Sequence, residues 1–489
     1  MKGVLNCAAG GSILGSWRLV PLLLATMSLA ACVQGPQVSA YPEFLPTVPP
    51  HASELRLAPW WRALNDPNLN GLIESGLADN PAPHIAWARL AQAQADLQVA
   101  RSQRWPSLQA RGRRDVTEFS DSQADTRTDL GALEFTWDAG LWGKRRLQIE
   151  QANRRVLERW FEHQAASLAL STSIAQTYFQ VVQRRQQAAL LEAQVAVSLD
   201  LERLIEERFR LGQAPVSQLY QQRESTAGLT QLVLTNQTDL EILEQRLDVL
   251  LGRVPDATSR VERDSFNSLD WDTATGPEAT LAQDVLQHRA DIRAGYARLQ
   301  QAAAEVGVRF AERLPGLQVT ANLSNLAQKA ASAQWFAYSL DLAVPLFTGG
   351  RLRSLEQQAV HGLEEERGIY ADLWLAALAE VEALGFEFSQ QHKVLDTLRT
   401  RRGYAAQALE AARNRYVLGD QNYLDVLVAL RGLQEVDRLL VAQQGALYGL
   451  WIRRAEAVGQ PMCSVEPAYA PEFEKKCENN WHKIAEIQN

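Results

Sequence analysis

The 489-residue chain has little cysteine, little histidine and only 3 Met. Four cysteines in a chain of this length are too few for a disulfide scaffold. The seven histidines (51, 84, 163, 288, 361, 392 and 482) include no HExxH or other metal-ligand spacing, so no metal is expected. Neither GxSxG nor GxGxxG occurs, and Gly140-Leu141-Trp142-Gly143-Lys144 lacks the spacing and Ser/Thr of a phosphate loop. No enzyme and no resident cofactor are therefore expected. Positive charge is also scarce: 49 Lys+Arg against 57 Asp+Glu leave a net charge of −8, which argues against a nucleic-acid partner. Long apolar runs are absent beyond the N-terminus, which excludes a polytopic helical membrane protein.

The N-terminal run, residues 19–31, follows Lys2 and Arg18 with no acid before it. It is too short to span a bilayer and reads as an export signal. It ends Leu29-Ala30-Ala31-Cys32, which resembles the lipobox of bacterial lipoproteins. That resemblance implies cleavage before Cys32 and a covalent N-terminal lipid on it, with Val33 favouring the outer membrane. The competing reading is a plain secretory signal cut at an A-x-A-like site.

The rest of the chain is one unit written twice. Arg104-Trp105-Pro106-Ser107-Leu108-Gln109 returns as Arg313-Leu314-Pro315-Gly316-Leu317-Gln318, and Gly140 as Gly349, both offset by 209. Arg208-Phe209-Arg210-Leu211-Gly212 returns as Arg415-Tyr416-Val417-Leu418-Gly419, offset by 207. Conserved order at near-constant spacing marks a tandem duplication. The domains read as a signal peptide (1–31), an N-terminal segment (32–83), a first repeat (84–252), a linker (253–283), a second repeat (284–459) and a tail (460–489).

Punctuation is missing where it matters most. Residues 144–211 hold no Gly and no Pro, and 351–418 hold no Pro. Each stretch predicts a helix of about 100 Å at 1.5 Å per residue, ended by Gly212 or Gly419. Shorter helices are expected over 216–251 and 422–458, and over 84–103 and 284–312 before the prolines. Helices of such length point to coiled-coil packing. Between them, residues 317–324, 336–344 and 132–138 alternate apolar with small or polar side chains, as strands with one apolar face do. A weaker partner strand covers 107–116, and 117–129 and 325–334 are expected as hairpin loops.

Four strands in two hairpins cannot close a transmembrane barrel, and a sheet with open edges and an apolar face needs other chains to complete it. Three chains would supply twelve strands, with the polar face around water and Trp137, Trp335, Phe336 and Tyr338 in an interfacial girdle. A soluble sandwich is the alternative.

Several segments then carry a resemblance. They are Pro59-Trp60-Trp61 with Asp66, Leu69 and Asn80; Arg289-Ala290-Asp291-Ile292; Pro345 to Arg351; and Arg415-Tyr416-x-x-Gly419 with Tyr423-Leu424-Asp425-Val426-Leu427. Together, over about residues 55–460, the chain resembles the TolC-like outer-membrane factor family, in its lipoprotein (NodT-type) branch. The resemblance implies a mainly α fold with a transmembrane β-barrel. Three chains form a twelve-stranded barrel in the outer membrane, continued by an α-helical barrel. It further implies a homotrimer that conducts small molecules passively, supplied by an inner-membrane pump through a periplasmic adaptor. An exit duct for secreted polypeptides, or a lipid-anchored coiled-coil scaffold, are the competing functions.

The resemblance also nominates residues. Asp425 matches one position of an acidic ring that narrows the periplasmic end; a solvated Asp near a helix start, stabilised by the helix dipole, is the competing reading. Tyr416 matches a residue tied to an acid in the first repeat; here that partner position is Gln218, so a neutral hydrogen bond is expected. Gln421 and Val428 stand where relatives carry charge. The turns containing Arg208, Leu211 and Gly212, and Arg415, Leu418 and Gly419, are the expected adaptor-docking tips. In the tail, Cys463 and Cys477 flank thirteen residues, open to a disulfide or to two free thiols.

Overall fold

The computed structural model describes residues 60–117, 126–256, 289–328, 331–418, 420 and 422–459. Cys32, Cys463, Cys477, Gly419, Gln421 and most of the linker lie outside the described residues.

A short 3-10 helix, Trp60–Leu64, precedes α1 (Pro67–Asp79) and α2 (Pro81–Ser102). Strands β1 (Ser107–Thr117) and β2 (Thr126–Asp138) follow, then α3 (Lys144–Arg210) and α4 (Val216–Leu250). The second repeat runs α5 (Ala290–Ala311), β3 (Gly316–Gln328), β4 (Ala331–Ala343), α6 (Arg351–Val417) and α7 (Tyr423–Val458). Both long helices have 67 residues, and each begins and ends within a residue of the Gly/Pro-poor span that predicts it.

α1 is absent from the sequence-based expectation, yet its signal is present. Asp66 precedes Pro67, and its carboxylate accepts from the Asn68 and Leu69 amides at 3.0 and 3.1 Å. An N-cap followed by a proline at the first helical position is a strong start signal.

The described residues form two compact units. One gathers residues 91–117, 126–158, 295–328 and 331–370, and so holds the sheet. The other gathers the described residues within 60–90, 159–294 and 371–459. Its largest core packs Trp60, Trp61, Leu69 and Ile73 against Ile174, Tyr178, Phe179, Leu247, Trp451 and Ile452. Trp60 donates to Ser171 Oγ at 3.1 Å, and the Tyr178 hydroxyl to Asp66 at 2.5 Å. The Trp60-Trp61, Asp66 and Leu69 motif thus fastens α1 to α3.

The sheet is an antiparallel meander in the order β1-β2-β3-β4. Its strands are longer than alternation alone predicts. Residues expected in hairpin loops pair instead, as Arg114 with Asp129, Gly131 with Asn325 and Asn325 with Gln334. Side-chain alternation reports a buried or lipid-facing surface, whereas backbone pairing continues wherever both strands persist. A bidentate Arg114–Asp129 contact at 2.6 and 2.9 Å braces the extended part of β1–β2.

The register also corrects one face assignment. Leu108, Phe135, Ala321 and Tyr338 form one cross-strand row, and Ala110, Leu133, Leu323 and Phe336 form the next on the same face. Trp335 falls in the row just beyond Phe336, with Ser324, Ala132 and Arg111. Neighbouring residues of a strand point to opposite faces, so Trp335 stands on the polar face and cannot share a girdle with Phe336 and Tyr338.

Candidate functional site: the sheet edges and the helical turns

Two regions carry the features that a channel subunit needs. The first is the sheet. On one face Leu133, Trp137, Leu323, Phe336, Tyr338, Leu340 and Leu342 are all exposed. On the other, Thr320 and Ser339 hydroxyls meet at 2.7 Å, and Arg111 pairs with Glu134 at 3.4 Å. Among the described residues β1 pairs only with β2, and β4 only with β3, so each end strand offers an edge that none of them fills. Exposed apolar side chains and unpaired backbone on the same sheet call for lipid on one side and further strands at the edges.

The second region is the pair of turns that close the helical hairpins. After α3 the chain reverses at Gly212, whose φ of 69° lies in the left-handed region. The Gly212 amide donates to Phe209 O at 2.9 Å and the Gln213 amide to Arg208 O at 2.8 Å, satisfying carbonyls at the helix end. After α6 the Asp420 amide donates to Arg415 O at 3.0 Å. Leu211 and Leu418 project from these turns, 69% and 81% exposed.

Tyr416 does not use Gln218. Its hydroxyl accepts from the Arg208 guanidinium, which also lies 5.0 Å from the tyrosine ring centroid. The partner position in the first repeat is thus taken over by a cation eight residues before the α4 start, and Gln218 remains in the first turn of α4 with its amide on Pro215 O at 3.1 Å. Arg415 is likewise engaged, with Asp420 at 3.0 Å. Of the residues nominated as docking tips, Arg208 ties to Tyr416 across the repeat and Arg415 holds its own turn, and Leu211, Gly212 and Leu418 form the open surface. Asp425 lies in the first turn of α7 and is exposed, beside exposed Leu424 and Val428, while Tyr423, Val426 and Leu427 turn inward.

Behind the turns lies a polar cluster that sequence reasoning missed. Tyr423 donates its hydroxyl to Gln222 Oε1, and Gln222 Nε2 donates to Ser198 O and Oγ at 2.8 and 2.7 Å. Ser198 Oγ also lies 3.0 Å from Thr226 Oγ1. All four residues are buried. Burial pushes the Tyr423 hydroxyl well above its ordinary pKa, with nearby Tyr416 adding to the rise. The signal was available: Leu219, Gln222, Thr226 and Leu229 follow the 3-4 spacing of a buried coiled-coil seam, so two polar residues there need partners.

Among the described residues no three His, Cys, Asp or Glu side chains gather as a metal site, and no helix is long and apolar enough to cross a membrane.

A duplicated helical hairpin carrying a four-stranded sheet with an apolar face and free edges defines a subunit of an outer-membrane channel. The comparisons agree. The model of the family described as outer membrane efflux protein matches residues 72–253 and 281–460, and the chain belongs to that family. It is 28% identical over 428 residues to the pyoverdine export outer membrane protein of Pseudomonas aeruginosa, covering 83% of this chain and 86% of that protein. Nodulation protein T of Rhizobium leguminosarum bv. trifolii is 23% identical over 431 residues, covering 83% and 90%. Among solved structures, the outer membrane protein VceC from Vibrio cholerae superposes with a TM-score of 0.72 at 26% identity, over 82% of this chain and 98% of that one. The fold is TolC-like, and the protein is an efflux duct of the Gram-negative outer membrane with a periplasmic helical domain.

Proposed function

We propose that three copies of this chain assemble into the exit duct of a tripartite, RND-type efflux system. The observation that carries this reading is the sheet: four strands, an exposed apolar face and two unpaired edges. Edge-to-edge joining of β4 of one copy to β1 of the next gives twelve strands, satisfies both edges and puts the apolar rows against lipid. Small molecules delivered by an inner-membrane pump and a periplasmic adaptor then pass through without chemistry. Leu211, Gly212, Leu418 and Gly419 supply six similar turns per trimer as the adaptor surface, each stiffened by Arg208 or Arg415. Asp425, exposed near the α6–α7 turn, contributes three carboxylates that attract cations where the periplasmic end narrows.

Cys32 carries the N-terminal lipid in this reading, and several acyl chains would hold the start of the mature protein at the membrane. Cys463 and Cys477 pair in the oxidising periplasm.

Purified protein reconstituted in planar bilayers tests the whole. The expected result is a trimer by native mass spectrometry and discrete ion-conducting events. A monomer that stays silent in bilayers would overturn the reading. Asp425→Ala is expected to raise single-channel conductance or weaken block by divalent cations. Intact-mass and unreduced peptide analysis reads the Cys32 lipid and the Cys463–Cys477 bond directly.

A further inference from the structure

The polar face of the sheet carries small, hydroxylated or charged side chains, with Leu130 and Leu326 the largest aliphatic ones. Trp335 is the exception. Among the described strand residues it is the one aromatic side chain on that face, because Phe135, Trp137, Phe336 and Tyr338 all stand on the other. Trp335 is 44% exposed within the chain, so a large part of the indole is open to whatever occupies that face. Its cross-strand partner Ser324 is 7% exposed on a sheet whose residues are otherwise mostly open.

Charge does not distinguish this level of the face. Arg111, in the same row as Trp335, is paired with Glu134 at 3.4 Å, and Arg113, two residues on, with Asp115 at 2.8 Å. Two cations and two carboxylates offset each other there. What the face offers a passing solute, beyond neutral hydrogen-bonding groups, is an exposed π surface, and in a closed barrel it is offered three times around one ring.

We propose that the Trp335 indole is a contact site for solute within the duct, retaining flat aromatic solutes by stacking as they cross the barrel. This rests on the closed-barrel reading, in which the polar face lines the lumen. An offset-stacked or edge-to-face aromatic contact adds about 0.5–1.5 kcal/mol beyond area burial, so residence at Trp335 lengthens by roughly two- to tenfold. Such a contact is weak enough for the solute to leave, which a duct requires. Three indoles also narrow the lumen, so their removal widens it.

The test uses the full-length protein in planar bilayers, with 1-naphthol and its saturated counterpart decahydro-1-naphthol as probes of similar size. Wild-type channels are expected to show partial blocks by naphthol that last about two- to tenfold longer than those by the saturated alcohol. Trp335→Ser should equalise the two dwell times and raise the open-channel conductance, whereas Trp335→Phe should keep most of the difference. Equal dwell times in the wild type, or a difference that survives Trp335→Ser, would overturn the proposal. If Trp335→Ser does not insert, the wild-type comparison and Trp335→Phe still decide, since loss of the naphthol preference in the phenylalanine variant also counts against stacking. Wild-type protein that forms no channel would overturn the barrel reading itself, an outcome distinct from a channel without aromatic preference.

Discussion

Arg208 near the end of α3 holds Tyr416 near the end of α6 in two ways at once, donating to its hydroxyl and lying 5.0 Å from its ring centroid. The two residues are 208 positions apart, one more than the repeat offset of 207, so Tyr416 is the counterpart of Phe209 and Arg208 that of Arg415. Neighbouring positions of the duplicated turn therefore meet, and the two hairpin turns are tied across the repeat.

The two halves of that contact can be separated. Tyr416→Phe removes the hydroxyl and leaves the ring under the guanidinium, a contact worth about 0.5–1 kcal/mol at such a site. Arg208→Ala removes both. Single-channel recording is expected to show a small rise in conductance or open probability for Tyr416→Phe and a larger one for Arg208→Ala. Equal effects would mean that the ring contact contributes nothing to holding the turns together.

The buried cluster behind the turns makes a second, sharper demand. Both ends of the Gln222 side-chain amide are used, the oxygen by Tyr423 and the nitrogen by Ser198, at a site with no access to water. Gln222→Leu leaves the Tyr423 hydroxyl buried without its acceptor, which costs about 1–3 kcal/mol. Adding Tyr423→Phe removes the stranded group, so the double variant is expected to recover part of the loss. Thermal unfolding of the trimer measures this cycle; strict additivity would show that the two side chains act independently.

These clusters mark the boundary of what the sequence makes legible. The repeat, the two 67-residue helices and the glycine after α3 are written locally, in matched segments and in the absence of Pro, joined in α3 by the absence of Gly. The Asp66-Pro67 helix start is equally local and shows that a cap signal inside a motif is easily passed over. Trp335 is misassigned when its neighbours' aromaticity is given more weight than the period of two that separates it from Phe336. Tyr416's choice of Arg208 over Gln218 is of another kind. It depends on how α6 settles beside α3, and no spacing within either helix encodes that.

Glycine at the repeat ends offers a third expectation. Gly252 and Gly459 close α4 and α7 with φ of 74° and 65°. A Cβ on Gly252 would lie 2.5 Å from Asp79 O, and one on Gly459 would lie 2.9 Å from the Arg289 Cα. One neighbour lies just before the first repeat, beside Asn80, and the other at the start of the second, beside Asp291. Alanine at either position meets left-handed strain and a backbone clash together, and is expected to cost more than about 1 kcal/mol. Gly432→Ala is the control. It lies inside α7 with nothing within 4 Å of the added carbon, and is expected to stabilise by about 0.5–1 kcal/mol. Melting temperatures of the three variants should order accordingly.

His163 on α3 is expected to contribute a pH dependence to stability. Its ring lies 5.8 Å from Trp87 and 6.3 Å from Trp160. Burial pushes its pKa below the ordinary histidine value; a hydrogen bond with the Pro83 backbone opposes the shift, and nearby His84 adds slightly to it. In the unfolded chain the imidazole takes up its proton at about pH 6.5; in the folded protein it does so only at lower pH. Between those two values the unfolded state binds more protons, so stability is full at neutral pH and falls as the pH drops through about 6.5 toward the folded value. His163→Phe keeps an aromatic ring between the tryptophans and removes the titration. Its unfolding midpoint is therefore expected to change less than the wild type's between pH 7 and pH 5, and equal pH slopes for the two proteins would rule out His163 as the source.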